Sequence, residues 1–202
     1  MLRKYALILL LGCTATILAA QETPKIELFG GYNFTHVKLL GDHDPLTNGN
    51  GWTVSAAFNL NKWVGIVADG SGAYSSHPNS PIGIVCFPAI TLCSVPADAT
   101  HRKLHTYTIG PQFSYRTSSR FTPFAHILIG GGYVSITDTF PGGHVTEANG
   151  SHVLTLGGGV DYRLTDRVAL RTQTDLQQSR FFDEHHDGFR LSTGLVFNFG
   201  KK

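Results

Sequence analysis

Near the end of its sequence the chain reads Phe189-Arg190-Leu191-Ser192-Thr193-Gly194-Leu195-Val196-Phe197-Asn198-Phe199. Two kinds of side chain alternate here, and a period of two predicts a β-strand whose faces meet different surroundings. Residues 152–163 and 167–178 show the same alternation. Across the three segments one parity carries no formal charge, with histidine neutral, whereas the other carries six charged residues.

This pattern extends over most of the chain and predicts eight strands. They cover residues 25–36, 51–59, 63–74, 103–115, 121–135, 152–163, 167–178 and 189–199. The connections alternate between long segments, near 37–50, 75–102, 136–151 and 179–188, and short ones, near 60–62, 116–120 and 164–166. We therefore predict an all-β fold, an eight-stranded antiparallel up-and-down barrel.

Alternation alone does not decide which face of the barrel is apolar. An exported, soluble, lipocalin-like barrel would place the apolar face inside, whereas a transmembrane barrel turns it toward lipid. Strand lengths near ten residues and the alternating connections favour the transmembrane barrel. Aromatic residues also fall near both strand ends on the apolar face, which predicts two girdles: Trp52, Tyr74, Tyr133 and Phe189 at one rim, and Trp63, Tyr115, Phe121, Tyr162 and Phe199 at the other.

The first twenty residues predict a secretory signal peptide. Arg3 and Lys4 precede a short apolar run, and the small residues before Gln21 favour cleavage between Ala20 and Gln21. The barrel domain would then occupy residues 21–202, and lipidation of Cys13 is the alternative. Export also predicts a disulfide between Cys86 and Cys93 in a Pro-rich loop. A net charge of +2 without a basic stripe gives no support for nucleic-acid binding.

The inward parity of the barrel carries charges of both signs. These would form either a hydrogen-bonded plug, which the narrow bore of eight strands favours, or the lining of a gated pore. The predicted lumenal polar network consists of Glu27, Asp69, Gln112, Asp161, Arg163, Arg171, Gln173, Asp175 and Arg190.

We predict no catalytic, cofactor or metal site. The histidines and acids at residues 42–44 and 183–187 form a weak set of metal ligands, typical also of hydrated loops. His126 prompts comparison with lipid A deacylases, but Leu128 stands where that pattern would need a serine. A nucleophile needs a hydroxyl or thiol beside its base, so catalysis is not expected.

The chain resembles the OmpA-like family of small bacterial outer-membrane barrels. The resemblance lies in the opening strand Lys25-Ile26-Glu27-Leu28-Phe29-Gly30-Gly31-Tyr32, the strand that contains Thr122-Pro123-Phe124-Ala125 and Gly130-Gly131-Gly132-Tyr133, and the closing Gly194-Leu195-Val196-Phe197-Asn198-Phe199. It implies a monomeric, non-enzymatic protein of the bacterial outer membrane with an envelope-structural and surface-loop role. The alternatives are a small passive channel or a lipid A-modifying enzyme. The implied partners are membrane lipid and lipopolysaccharide, the barrel-assembly machinery, and an extracellular ligand bound through the loops.

Overall fold

A computed structural model describes residues 23–37, 47–78, 85–86, 93–94, 99–117, 119–140, 143–181 and 184–201. The predicted signal peptide, with its cleavage site at Ala20 and Gln21, lies outside these residues. The strands are β1 (Pro24–Val37), β2 (Thr47–Asn59), β3 (Val64–Pro78), β4 (Val85–Cys86), β5 (Cys93–Ser94), β6 (Ala99–Ser114), β7 (Phe121–Phe140), β8 (Gly143–Arg163), β9 (Val168–Phe181) and β10 (Glu184–Lys201).

Eight of these strands close into one barrel in the order β1-β10-β9-β8-β7-β6-β3-β2. Every neighbouring pair is antiparallel, and β4 and β5 form a separate two-stranded sheet in the connection between β3 and β6. The prediction of an all-β, eight-stranded antiparallel barrel is therefore confirmed. Within the described residues, no helix is long and apolar enough to cross a bilayer.

The barrel is apolar outside and polar inside. Leu176, Ile129 and Tyr107 point outward and are each at least 60% exposed, whereas Arg190 and Asp175 inside are completely buried. A soluble barrel would have the opposite distribution, because its apolar side chains would leave water on folding. The outer wall is stable only against hydrocarbon, as in a transmembrane barrel.

The strands extend into all four predicted long loops, and two of these loops illustrate why. β7 continues to Phe140 and β8 begins at Gly143, so most of the predicted loop 136–151 is a β-hairpin. Similarly, β9 and β10 extend into the predicted loop 179–188. Beyond the membrane both faces of a hairpin meet water, so the alternation of polarity disappears. The backbone pairing continues, supported by β-branched residues such as Thr137, Val145 and Thr146.

The seam between the first and last strands depends on two inward-facing glycines. Gly31 of β1 lies directly opposite Gly194 of β10. A Cβ added to Gly194 would lie 2.8 Å from the carbonyl carbon of Gly30, and one added to Gly31 would lie 2.8 Å from that of Thr193. These contacts are with backbone, which cannot move without disturbing the pairing that closes the barrel.

We expect Gly194→Val to prevent stable closure of this seam, because the new side chain would collide with the backbone of β1. The measurement compares the gel mobility of boiled and unboiled outer-membrane fractions. A folded barrel in the unboiled sample migrates at a different position from the unfolded chain in the boiled sample. The control is Gly30→Val at the same seam but on the outer face of β1, where an added Cβ meets nothing within 4 Å. A normal heat-dependent shift for Gly194→Val would contradict the expected collision.

The two-residue strands bring the predicted disulfide partners into register. Cys86 pairs with Cys93 across the β4–β5 ladder. Directly opposed residues in an antiparallel pair have Cα atoms about 4.5–5.5 Å apart, within the range that disulfides span. The structure does not show a disulfide, and both side chains lie outside its described part, so the bridge stays a prediction.

Alkylation of the denatured, exported protein checks this bridge. We expect Cys86 and Cys93 to take up a thiol reagent only after reduction, with a matching mass increase on the peptides that contain them. Cys86→Ser is the control, because it should free Cys93 for alkylation without reduction. Full alkylation of the unreduced parent protein would show that the bridge does not form.

Candidate functional site in the barrel lumen

Two arginines form the centres of the lumenal charge network. Arg171 of β9 and Arg190 of β10 are 1% and 0% exposed, and each faces carboxylates on other strands. Their partners form two layers across the bore. The turn-side layer, near the short connections, contains Glu27, Asn59, Arg116, Asp161 and Arg171. The central layer contains Asp69, His126, Gln173, Asp175 and Arg190.

In the turn-side layer, Arg171 makes a bidentate ion pair with Asp161. Its Nε and Nη2 donate to the two carboxylate oxygens at 2.6 and 2.7 Å, and Nη2 also reaches Glu27 at 3.1 Å. The guanidinium lies 4.3 Å from the ring centroid of Phe124 and 5.4 Å from that of Phe29. Carboxylates and aromatic faces together compensate the cost of burying this cation.

Glu27 connects Arg171 to the opposite wall through Arg116 and Asn59. Arg116 forms a salt bridge with Glu27 and also donates to Asn59 Oδ1 at 3.2 Å. Asn59 Nδ2 donates to Glu27 at 2.8 Å and to the Pro24 carbonyl at 2.9 Å. The sequence analysis missed both partners. Asn59 shares the inward parity of its strand and could have been found. Arg116 continues the inward parity of Gln112 and Ser114, but it lies one residue beyond the predicted strand, which ended at residue 115.

In the central layer, Arg190 extends across the bore from β10 to β3. Its Nη1 donates to Asp69 at 2.8 Å, and its Nε donates to Asp175 at 2.9 Å. Asp175 also accepts from Gln173 at 3.3 Å and lies 2.8 Å from His126 Nε2. Each of these carboxylates has a basic partner, so the layer is held by charge-assisted hydrogen bonds across distant strands.

The remaining predicted lumenal residues lie outside these layers. Gln112 is buried on β6, and its Nε2 donates to Ser114 at 3.3 Å. Arg163 is half-buried at the last position of β8, and its backbone N–H donates to the Arg120 carbonyl at 2.8 Å.

The predicted girdle aromatics lie on the outer wall, near its two ends. Trp52 Nε1 donates to the Tyr74 hydroxyl at 3.2 Å near the end with long connections. Near the other end, the rings of Trp63 and Tyr115 are 5.3 Å apart, and those of Phe121 and Tyr162 are 5.0 Å apart. Tyr162 is half-buried, while the other eight are exposed: Trp52, Trp63, Tyr74, Tyr115, Phe121, Tyr133, Phe189 and Phe199.

The described residues contain no group of three or more histidines, cysteines and acids that could hold a metal ion. Of the two weak ligand sets in the sequence, residues 42–44 lie outside the described part. In residues 183–187, the structure describes the side chain of Asp187 only, which is exposed.

The closed barrel with an apolar wall and a charged interior agrees with the family to which comparison with known proteins assigns the chain. The family model described as "Outer membrane protein beta-barrel domain" matches residues 5–200. The chain belongs to this family. It is accordingly a bacterial outer-membrane protein, as the sequence predicted, and the long connections are assigned to the cell exterior.

Solved structures agree with this fold. The attachment invasion locus protein Ail of Yersinia pestis is 20% identical, with a TM-score of 0.57, and the match covers 87% of this chain and 99% of Ail. Neisserial surface protein A is 15% identical, with a TM-score of 0.64, and the match covers 87% of this chain and 97% of that protein. No curated protein sequence matches the chain. At these identities the likeness shows the fold alone.

Replacement of Arg171 by methionine tests the turn-side layer. Asp161 and Glu27 would lose a buried partner, so we expect a loss of about 3–5 kcal/mol in the free energy of unfolding. Urea unfolding in lipid vesicles, followed by gel mobility, measures the change. Adding Asp161→Asn should recover part of it.

Arg120→Met serves as the matched control, because Arg120 is exposed in the turn before β7. Its unfolding free energy should change by no more than about 0.5 kcal/mol. Equal effects of Arg171→Met and Arg120→Met would show that the buried pairs contribute nothing beyond a surface charge.

Proposed function

We propose that this protein is a non-enzymatic outer-membrane barrel with an envelope-structural role, whose lumen is a plug and whose interactions are made by its external loops and hairpins. The observation that carries the proposal is the central layer. Arg190 on β10 pairs with Asp69 on β3, three positions away around the barrel, and with Asp175 on neighbouring β9. These ion pairs lie across the bore in which a solute would have to move.

The hairpin of β7 and β8 supports the role of the external surface. The two strands pair as far as Phe140 and Gly143, whereas the described pairing of β8 with β9 begins at Val153. Residues 143–152 therefore extend beyond that pairing by roughly 30 Å of strand. Residues 143–148 are all exposed, Val145 at 58%. An exposed, β-paired hairpin with an apolar residue among polar ones is suited to contact other molecules at the cell surface.

The position of His126 supports a non-enzymatic role. The side chain is 4% exposed, faces the lumen, and contacts the Asp175 carboxylate at 2.8 Å and the Phe124 ring at 5.9 Å between centroids. An acyl chain in the membrane lies on the opposite side of the barrel wall. A deacylase would need its base and nucleophile together where the lipid ester can reach them.

A narrow channel is the second candidate, and one observation favours it. Buried polar atoms of Thr108, Gln112, Thr155, Gln177 and Ser192 have no hydrogen-bond partner among the described residues. Buried polar groups usually find a partner, and water often supplies it. These side chains could line a file of water in the lumen. Passage of ions would still require the central layer to open.

Single-channel recording in planar bilayers distinguishes the two candidates. We expect the full barrel to show no conducting steps, because the Arg190 ion pairs close the bore. Arg190→Ser should produce brief steps, since it removes the group that reaches from β10 to β3. The exposed Arg120→Met variant is the control and should stay silent. Steady conductance by the parent protein would favour the channel and contradict the plug.

A further inference from the structure

The outer wall of the barrel carries an apolar groove across β1, β2, β3, β6 and β7. It has a volume of about 710 Å³, which lies within the range of ligand-binding pockets. Ala56, Ala68 and Gly70 form its outward-facing floor, and larger side chains such as Leu28, Tyr107 and Ile129 border it. The groove therefore opens toward the hydrocarbon of the membrane.

The glycine in the floor, Gly70, is not required by the packing of the barrel. Ala56 lies opposite Ala68, and Val54 lies opposite Gly70 in the β2–β3 register. A Cβ at Gly70 would have its nearest neighbours at 3.7 Å on Tyr107 and at 3.9 Å on Val54, which are ordinary contact distances. A Cβ would therefore fit at Gly70 without strain, so the pairing of the strands does not require glycine at this position.

The groove ends at an aromatic cluster on the side of the long connections. Trp52 borders the groove, and its Nε1 donates to the Tyr74 hydroxyl at 3.2 Å. The His105 ring lies 5.6 Å from the Tyr74 ring and 6.4 Å from the Trp52 ring between centroids. Aromatic side chains with polar tips are typical of the boundary between hydrocarbon and headgroups. The cluster therefore marks the outer membrane surface above the groove.

A lysine side chain, that of Lys103, lies just beyond this boundary on the side of the long connections. Lys103 lies on the outward face of β6 two residues beyond His105, and its side chain is exposed. Its register partners are Tyr74 on β3 and Ser135 on β7. The next outward-facing residues on these strands are Ser76 and Thr137. None of these four neighbours is acidic. A lysine at this depth is placed to meet a lipid phosphate.

We propose that this wall is a binding site for one phosphorylated glycolipid of the outer leaflet, lipid A, with an acyl chain in the groove and a phosphate at Lys103. The lipid must come from the outer leaflet, because the aromatic cluster and Lys103 lie at the end of the barrel with long, external connections. Along the wall, the apolar groove is followed by the aromatic cluster and then by Lys103. Such a lipid presents its parts in the matching order, with acyl chains first and the phosphate beyond the boundary of the hydrocarbon. The site is separate from the lumen and from the loop tips, so it goes beyond the function proposed above.

Native mass spectrometry of the full barrel, released from detergent after incubation with diphosphoryl lipid A, tests the proposal. We expect one retained lipid A per barrel. Gly70→Leu should lower the bound fraction about fivefold, because its side chain fills the groove. Lys103→Gln should lower it about threefold, and this loss should be smaller with dephosphorylated lipid A.

Thr174→Leu is the matched control. Thr174 is an exposed, outward-facing residue on β9, the strand diametrically opposite β3 in the barrel. The substitution adds similar apolar bulk to the lipid-facing wall away from the groove and should leave binding unchanged. Ala68→Leu provides a second filled groove, and heat-modifiable gel mobility confirms that each variant is folded before binding is compared.

Two results would overturn the proposal. The first is equal lipid A retention by Gly70→Leu, Ala68→Leu and Thr174→Leu, which would show that the groove binds no particular chain. The second is retention of phosphatidylglycerol or phosphatidylethanolamine as strongly as lipid A with the same dependence on Lys103, which would assign the site to phospholipid. Neither result would alter the proposed plug, which the conductance experiment tests independently.

Discussion

Backbone amides inside hydrocarbon must be paired within the protein, because no water is available to them there. An unpaired amide at this depth costs several kcal/mol, so a sheet that crosses a membrane has to close on itself. The pairing of β1 with β10 satisfies this requirement without a break from Ile26 to Val37. The seam explains why Gly31 and Gly194 face each other: the backbones approach too closely for a side chain on the inward face.

Closure with only eight strands then determines what the interior can hold. Such a bore is about as wide as the side chains that fill it. Polar residues in that space must bond to one another, and the longest of them, Arg171 and Arg190, reach partners on distant strands. Burying such charges is expensive, and the pairs stabilise the barrel mainly in the sense that removing one partner is costly. The ion-paired lumen is thus a consequence of barrel size together with a polar inner face.

The sequence predicted the barrel well because alternation reports directly on the two sides of a membrane-spanning wall. Asp69, Asp175 and Arg190 could be assigned to the lumen from parity, since all three lie within the alternating segments of their strands. Their pairing across the bore could not be predicted, because parity states which face a residue occupies and not which distant strand it reaches. The hairpin around Phe140 was missed because, outside the hydrocarbon, the direction of a side chain no longer depends on its polarity. Arg116 was missed only because the predicted strand ended one residue before it.

Small residues have different causes on the inner and the outer face of the barrel. On the inner face, Gly194 is required, because an added Cβ would meet the backbone of β1. On the outer face, hydrocarbon accepts apolar side chains of many sizes, and the space around Gly70 would accommodate an added Cβ at ordinary contact distances. Closure therefore explains the glycines of the seam but not the floor formed by Ala56, Ala68 and Gly70. A depression that folding does not require, aligned below Trp52 and Lys103, has a physical reason if a lipid chain occupies it.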